Sequence, residues 1–209
     1  MNKCLLFDCD GTLVDSERLC NQGLVIQFRK LGIALDADQL MMKYRGWELE
    51  KILDELSSEC GVILPDDFIV EYRLAVAALF ESDLQPIQGI KAALDNLPYP
   101  KAVVSNGPTH KVEQALMLCG LSEYFGSRIY SAYDIGVWKP DPAIYLFAVK
   151  EMGFEPKDCI VIDDGLVGIE AGYKAGIRTL FYNRFNQDCD LPSVVSFNSM
   201  ADLVALIES

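Results

Sequence analysis

The stretch KCLLFDCDGTL at residues 3–13 joins a short apolar run, Cys4 to Phe7, to two aspartates, Asp8 and Asp10, which stand two residues apart. An apolar run of this length is typical of a strand that is buried on both faces of a parallel sheet. The two aspartates would then lie at the carboxyl end of the strand, where ligands bind in α/β proteins. The same residues also suit a plain turn, because an Asp-Gly pair such as Asp10 and Gly11 is common in turns.

Five more short β-rich runs follow along the chain, and each of the six is followed by a segment with helical character. Helical spacing is clear at Val112, Ala115, Leu116 and Cys119, for example. The alternation of strand and helix predicts an α/β fold with a doubly wound, Rossmann-like parallel sheet. The five later runs are residues 102–104, 128–130, 160–162, 178–182 and 194–197.

Residues 15–83 interrupt this alternation, because strand-like runs vanish there and helical spacing takes over. The sequence therefore predicts an α/β core formed by residues 1–14 and 84–209, with residues 15–83 as an inserted α-helical cap. An insert that leaves the carboxyl end of the first strand is expected to cover the ligand-binding crevice. We expect it to act as a lid.

Composition narrows the classes of partner. The 209 residues are 51% hydrophobic and carry a net charge of −13, so they can bury a core but repel polyanions. We expect no nucleic-acid partner and no membrane partner. The sequence has no coiled-coil heptad pattern that would indicate an oligomer. Seven scattered cysteines, without the close pairs of a disulfide framework or a zinc site, favour the reducing cytoplasm. No apolar stretch is long enough for a signal peptide or a membrane span.

Polar residues that could carry chemistry follow three of the later predicted elements. Ser105 and Asn106 follow the second run, Lys139 precedes Pro140, and the acidic pair Asp163 and Asp164 follows the fourth run. Each cluster alone would be a helix cap, a surface lysine or a polar loop. Their joint occurrence at strand ends favours a single site.

Phosphoryl transfer explains why these residue types occur together. A carboxylate that attacks a phosphate monoester is an anion approaching a dianion, so the site must supply positive charge. Carboxylates favour Mg²⁺ as a hard cation, and Lys139 adds a second positive charge near Asp8. The Ser105 hydroxyl would donate to phosphoryl oxygens. Asp10 would act as general acid toward the leaving group and then as general base toward water.

Four motifs in order, FDCDGTL, VVSNG, WKPDP and IVIDDG, resemble those of the haloacid dehalogenase superfamily phosphatases over essentially the full chain. The resemblance implies Asp8 as nucleophile, Asp10 as acid/base, and Ser105 and Lys139 as phosphate ligands. It also implies Mg²⁺ on Asp8, on the Asp10 backbone carbonyl and on Asp164. The insert resembles the helical C1 cap of that family.

The acidic pair departs from the family pattern in one respect, because Gly165 follows it where relatives commonly have a serine. Adjacent residues of a strand point to opposite faces, so we expect one member of the pair to bind the metal directly. We assign that role to Asp164 and place Asp163 behind the metal ligands.

Longer stretches resemble the bacterial 6-phosphogluconate and phosphoglycolate phosphatases, namely residues 7–17, 103–108 and 133–143. The substrate expected from this resemblance is a small phosphate ester, a sugar or sugar-acid phosphate, with 6-phosphogluconate as the best guess. Ser105, Asn106 and Lys139 are the expected substrate-binding residues of the core. Arg45 in the insert would meet a substrate carboxylate or hydroxyl.

Three alternatives stay open at this point. A phosphomutase of the β-phosphoglucomutase type resembles the chain, although Cys20 stands where that group has a hinge histidine. A phospho-accepting receiver module uses the same ingredients, but with the acidic pair on the first strand and the acceptor on a later one. A regulatory protein that kept the fold without turnover is the third alternative.

Overall fold

A computed structural model describes residues 3–44 and 47–209. Six strands form one sheet in the order β3-β2-β1-β4-β5-β6, and all neighbouring strands are parallel. This confirms the predicted α/β fold class. The strands are β1 (Cys4–Phe7), β2 (Lys101–Ser105), β3 (Ile129–Ser131), β4 (Cys159–Asp163), β5 (Arg178–Tyr182) and β6 (Val195–Phe197).

Helices make up much of the rest of the described chain. In the described residues they are α1 (Glu17–Lys30), α2 (Ala37–Tyr44), α3 (Leu49–Cys60), α4 (Phe68–Asp83), α5 (Ile90–Asp95), α6 (Thr109–Leu118), α7 (Ser122–Phe125), α8 (Ala132–Ile135), α9 (Ala143–Met152), α10 (Leu166–Lys174) and α11 (Leu203–Glu208). Across the described ranges, none of these helices has the length and apolar character needed to cross a membrane.

Strand β1 is buried on both faces, and its alternating side chains pack against helices on opposite sides of the sheet. Leu6 belongs to the core cluster that includes Tyr145 of α9. The ring of Phe7 packs edge-to-face against Phe125 of α7, with 5.9 Å between the ring centroids. The two layers of helices explain why the run at residues 4–7 is apolar at every position.

The chain divides into two compact units. The first contains the described residues up to Asp15 together with Gln85–Ser209, and it holds the whole sheet. The second, Ser16–Leu84, contains α1 to α4 and has its own hydrophobic cluster, in which the rings of Phe28 and Phe68 meet with centroids 5.3 Å apart. The division falls one residue later at each end than the boundaries expected from the sequence.

One expected helix is missing. The described residues 183–194, between β5 and β6, contain no helix, so the prediction that a helix-like segment follows every strand was wrong there. The segment is polar, lacks a repeating apolar position, and contains Pro192. Its first residues form a turn in which the Asn183 side chain bonds both the amide and the carbonyl of Gln187, each at 2.8 Å.

Candidate active site

The loop after β1 carries the first two aspartates of the site. The amide of Asp8 still bonds the carbonyl of Ile162 in β4 at 2.9 Å, so Asp8 continues the sheet ladder. The chain then turns at Gly11, whose φ of +83° favours glycine. A Cβ atom at Gly11 would lie 2.3 Å from Oδ2 of Asp164. The glycine therefore permits both the turn and the close approach of the acidic pair.

Lys139 lies between two of the aspartates. Its Nζ is 2.6 Å from Oδ1 of Asp8 and 2.8 Å from Oδ2 of Asp163, and the side chain is 3% exposed. Burial lowers the pKa of the Lys139 ammonium, but the charges of Asp163 and Asp8 outweigh burial and hold that pKa well above its usual value. The site therefore contains a permanent positive charge at Asp8.

The carboxyl group of Asp8 is buried, and burial raises its pKa to about 7. The nearby Lys139 opposes this shift, whereas the charge of Asp163 adds to it. In the described part of the chain, Lys139 supplies the one ammonium beside this buried carboxylate, and the acidic groups of Asp163 and Asp10 also lie near it, so the site is short of positive charge. A cation that binds here would relieve that shortage.

Both oxygens of Asp163 accept hydrogen bonds from the protein. Oδ2 accepts from Lys139 Nζ and from the hydroxyl of Tyr145, each at 2.8 Å. Oδ1 accepts from the backbone N–H of Gly165 at 2.8 Å. A Cβ atom at Gly168 would lie only 1.8 Å from Oδ2, so α10 packs directly against this carboxylate. Asp163 is thus held by three donors and holds Lys139 in turn.

The second member of the pair, Asp164, faces the β1 loop, where the Thr12 hydroxyl donates to its Oδ1 at 2.9 Å. Carboxylate oxygens of Asp8, Asp163 and Asp164 lie within 4.8 Å of one another, and all three residues are buried. Oxygen donors of this type suit a hard divalent cation. The Asp10 side chain is not part of this trio. For Asp10, the family resemblance implies that the backbone carbonyl, rather than the side chain, binds the metal.

The loop after β2 packs against Lys139. The Asn106 side chain accepts a bond from the Lys139 N–H at 2.9 Å and donates to the Lys139 carbonyl at 3.3 Å. The buried Ser105 hydroxyl accepts from the N–H of Gly107 at 2.9 Å. A Cβ atom at Gly107 would lie 3.5 Å from Oδ2 of Asp10. The structure thus brings Ser105, Asn106, Lys139 and the β1 loop together, and it commits the Asn106 amide to the backbone of Lys139.

Three residues at the site were missed in the sequence. Lys111 in α6 bonds Oδ2 of Asp10 at 2.8 Å, Thr12 bonds Asp164, and Tyr145 bonds Asp163. Thr12 follows the DCDG stretch directly, so its position was the one available signal. In the sequence, Lys111 reads as a helix-surface lysine and Tyr145 as part of an apolar helix face.

The substrate residue expected in the insert, Arg45, lies outside the described residues. Its neighbours serve the packing of the helical unit. Lys43 bonds Glu55 at 2.9 Å and Glu59 at 2.6 Å. Trp47 packs edge-to-face on Tyr44 with 5.4 Å between ring centroids.

Cys9 and His110 are also of reactive residue types, but their environments differ from those of the residues described above. Cys9 is buried, and burial raises the pKa of its thiol well above the usual value. Its neutral form therefore prevails, and the side chain packs in the core. His110, the only histidine in the sequence, is an exposed residue of α6.

The sequence is similar to known proteins over most of its length. The family model of haloacid dehalogenase-like hydrolases matches residues 2–176. The chain is 37% identical over 205 residues to 6-phosphogluconate phosphatase of Escherichia coli (strain K12), covering 97% of this chain and 93% of that protein. It is 29% identical over 182 residues to phosphoglycolate phosphatase of Aquifex aeolicus (strain VF5), covering 84% and 82%.

A solved structure extends the likeness to three dimensions. A haloacid dehalogenase-like protein of unknown function from Agrobacterium tumefaciens str. C58 superposes with a TM-score of 0.84 and 28% identity, covering 100% of this chain and 98% of that chain. The family model alone spans far more than half of the sequence. The chain therefore belongs to the haloacid dehalogenase-like hydrolase family and is a phosphatase of that family.

Proposed function

We propose that the protein is a Mg²⁺-dependent phosphatase that hydrolyses small phosphate monoesters through an aspartyl-phosphate intermediate on Asp8. One observation carries the proposal. The buried ammonium of Lys139 bridges Asp8 and Asp163, next to the carboxylate of Asp164. A carboxylate that is buried beside a fixed positive charge and a cluster of further carboxylates is suited to meet a dianionic phosphoryl group together with a divalent cation.

In the first half of the reaction, a carboxylate oxygen of Asp8 attacks phosphorus, and the bond between phosphorus and the ester oxygen breaks. Asp10 gives its proton to the leaving alkoxide, so the alcohol departs neutral. The Lys139 ammonium offsets the negative charge that gathers on the transferring group, and the Ser105 hydroxyl donates to one of its oxygens.

In the second half, Asp10 acts as a base and takes a proton from water, which attacks the phosphorus of the aspartyl phosphate. The bond between phosphorus and Asp8 breaks, inorganic phosphate leaves, and the Asp8 carboxylate is restored. Asp8, Asp164 and the Asp10 backbone carbonyl would hold Mg²⁺, which offsets the negative charge of the carboxylates and the phosphoryl group.

For the substrate we propose a sugar or sugar-acid phosphate, with 6-phosphogluconate first. The support is the 37% identity to an enzyme of that name across nearly the whole of both chains. The helical unit would serve as the cap that selects the substrate, and Arg45 would bind a carboxylate or hydroxyl of the substrate. Asn106 would contribute by fixing the backbone of Lys139.

The cytoplasm is the proposed compartment. The seven cysteines are free thiols, two of them side by side at the paired positions Cys4 and Cys159 of β1 and β4. Free thiols in this number suit a reducing compartment.

Phosphate release tests the proposal. Purified protein is given 6-phosphogluconate, hexose phosphates, phosphoglycolate and nucleoside monophosphates, with Mg²⁺ or with a chelator. We expect release that needs Mg²⁺ and is abolished in Asp8→Asn. The exposed Asp202, far from the site in sequence, provides the control variant Asp202→Asn, which should keep the wild-type rate.

Acid quenching with ³²P-labelled substrate then tests the intermediate. Label should remain on the wild-type chain and be absent from Asp8→Asn. Release from no ester by the folded protein in the presence of Mg²⁺ would refute the phosphatase assignment. Equal release by Asp8→Asn would refute the role of Asp8.

A further inference from the structure

Tyr145 is a buried titratable residue for which the proposed reaction has no use. It is the third residue of α9, it is fully buried, and its ring belongs to the apolar cluster beneath the sheet. A phenylalanine would fill that apolar space equally well. The hydroxyl nevertheless reaches the site and donates to Oδ2 of Asp163 at 2.8 Å.

The hydroxyl shares its acceptor with the ammonium of Lys139. Both donors lie 2.8 Å from the same oxygen of Asp163, and Lys139 also bonds Asp8 at 2.6 Å. The ring of Tyr145 lies beside the same ammonium, with 5.2 Å between Nζ and the ring centroid. One tyrosine therefore contacts Lys139 through its ring and, through Asp163, by its hydroxyl.

The hydrogen bonds to the shared oxygen affect how the Lys139 ammonium is divided between Asp8 and Asp163. In the proposed reaction the ammonium acts at Asp8, whereas the carboxylate of Asp163 attracts it from the other side. A second donor on Oδ2 satisfies part of the hydrogen-bonding capacity of Asp163 and weakens its attraction for the ammonium. Without the hydroxyl, Lys139 would be the one remaining side-chain donor to that oxygen among the described residues, and it would move toward Asp163.

We propose that Tyr145 is a positioning residue. Its hydroxyl and Lys139 both donate to Oδ2 of Asp163, and this sharing keeps the Lys139 ammonium at Asp8. The inference rests on the proposed function, because the position of Lys139 matters to turnover only if Asp8 accepts the phosphoryl group. The contacts of Tyr145 are with Asp163 and Lys139, so its effect on the reaction at Asp8 is indirect.

Tyr145→Phe tests this role, with Tyr124→Phe as the matched control. Tyr124 also donates its hydroxyl to a carboxylate, that of Asp95, away from the site. We expect Tyr145→Phe to lower kcat about tenfold while KM changes by less than about twofold, because one hydrogen bond to a charged group is removed without changing the substrate contacts. Tyr124→Phe should keep the wild-type kcat.

Combining Tyr145→Phe with Asp163→Asn distinguishes a positioning role from a general structural role. In an Asp163→Asn background, Tyr145→Phe should change kcat by less than about twofold, because the residue through which it acts is gone. An equal loss in both backgrounds would overturn the inference, as would an unchanged kcat in the single variant.

Crystal structures of the wild type and of Tyr145→Phe give a readout without turnover. We expect the distance between Lys139 Nζ and Asp8 Oδ1 to lengthen in the variant. If the wild type releases no phosphate but the lysine moves, the proposed function fails and the positioning role stands. If the wild type is active and the lysine stays at Asp8, the inference fails alone.

Discussion

Gly168→Ala would disturb the centre of the site through a single methyl group. Within α10, alanine would normally stabilise the helix by about 1 kcal/mol relative to glycine. At Gly168, however, the added Cβ would lie 1.8 Å from Oδ2 of Asp163, and ordinary contact begins at 3.4 Å. The oxygen would have to move by about 1.6 Å, which is enough to break its bonds to Lys139 and Tyr145.

Each hydrogen bond to a charged group contributes about 1.5–3 kcal/mol, so losing both and gaining the helical preference gives a net loss of about 2–5 kcal/mol. Urea unfolding of the metal-free protein measures this difference. Gly165→Ser is the matched control, because a Cβ there lies 3.5 Å from Oδ1 of Asp163. As the residue before α10, serine should leave stability unchanged or raise it by a few tenths of a kcal/mol. A Gly168→Ala protein at least as stable as wild type would refute the reasoning.

Three further outcomes follow from the same contacts. Lys139→Met leaves Asp8 and Asp163 buried without their ammonium, and it should cost about 3–5 kcal/mol of unfolding free energy at pH 8, measured in urea. The pKa of Asp8 is raised from 3.8 in the unfolded chain to about 7 in the folded protein. Protonated Asp8 therefore stabilises the fold fully below pH 3.8, and this stabilisation is lost as the pH rises through 7. The stability of metal-free wild type relative to Asp8→Asn should therefore fall across that window, by about 4 kcal/mol at most, and a constant difference would contradict the shift. Thr12→Val removes the bond that orients Asp164 and should weaken Mg²⁺ activation about 10- to 100-fold, while kcat at saturating Mg²⁺ changes little.

The sheet was predictable because its signal is local. Each central strand is a short apolar run that ends in polar residues, and β1 and β5 have the bounds read from the sequence, Cys4–Phe7 and Arg178–Tyr182. The proximity of Asp8 and Asp163 was also foreseeable, since the carboxyl ends of parallel strands meet at one edge. Lys139 was expected at a strand end as well, but it lies in the loop between α8 and α9, eight residues after β3 ends at Ser131. Their catalytic roles stay predictions until the variants are measured.

Contacts that depend on side-chain reach across the fold were not predictable. Tyr145 lies on the buried face of α9 next to Ile144, and nothing in that apolar pattern indicates that its hydroxyl meets Asp163. Asn106 was expected to bind substrate, yet its amide bonds both backbone groups of Lys139, because the loops after β2 and before α9 pack together. The spacing of Asn106 and Lys139 along the chain does not indicate that contact.

The point where the chain leaves the sheet unit and returns to it has a consequence for protein engineering. The outgoing and incoming segments are hydrogen-bonded to each other: the amide of Asp15 bonds the carbonyl of Gln85, and the amide of Ile87 bonds the carbonyl of Leu13, both at 2.9 Å. The two ends of the helical insertion are therefore adjacent within the sheet unit. A linker of a few residues would be long enough to join them, so the insertion can be excised, or exchanged for that of another family member, without stretching the remaining chain. Exchange at this junction would replace α1 to α4 and leave Asp8, Lys139 and Asp163 of the sheet unit unchanged.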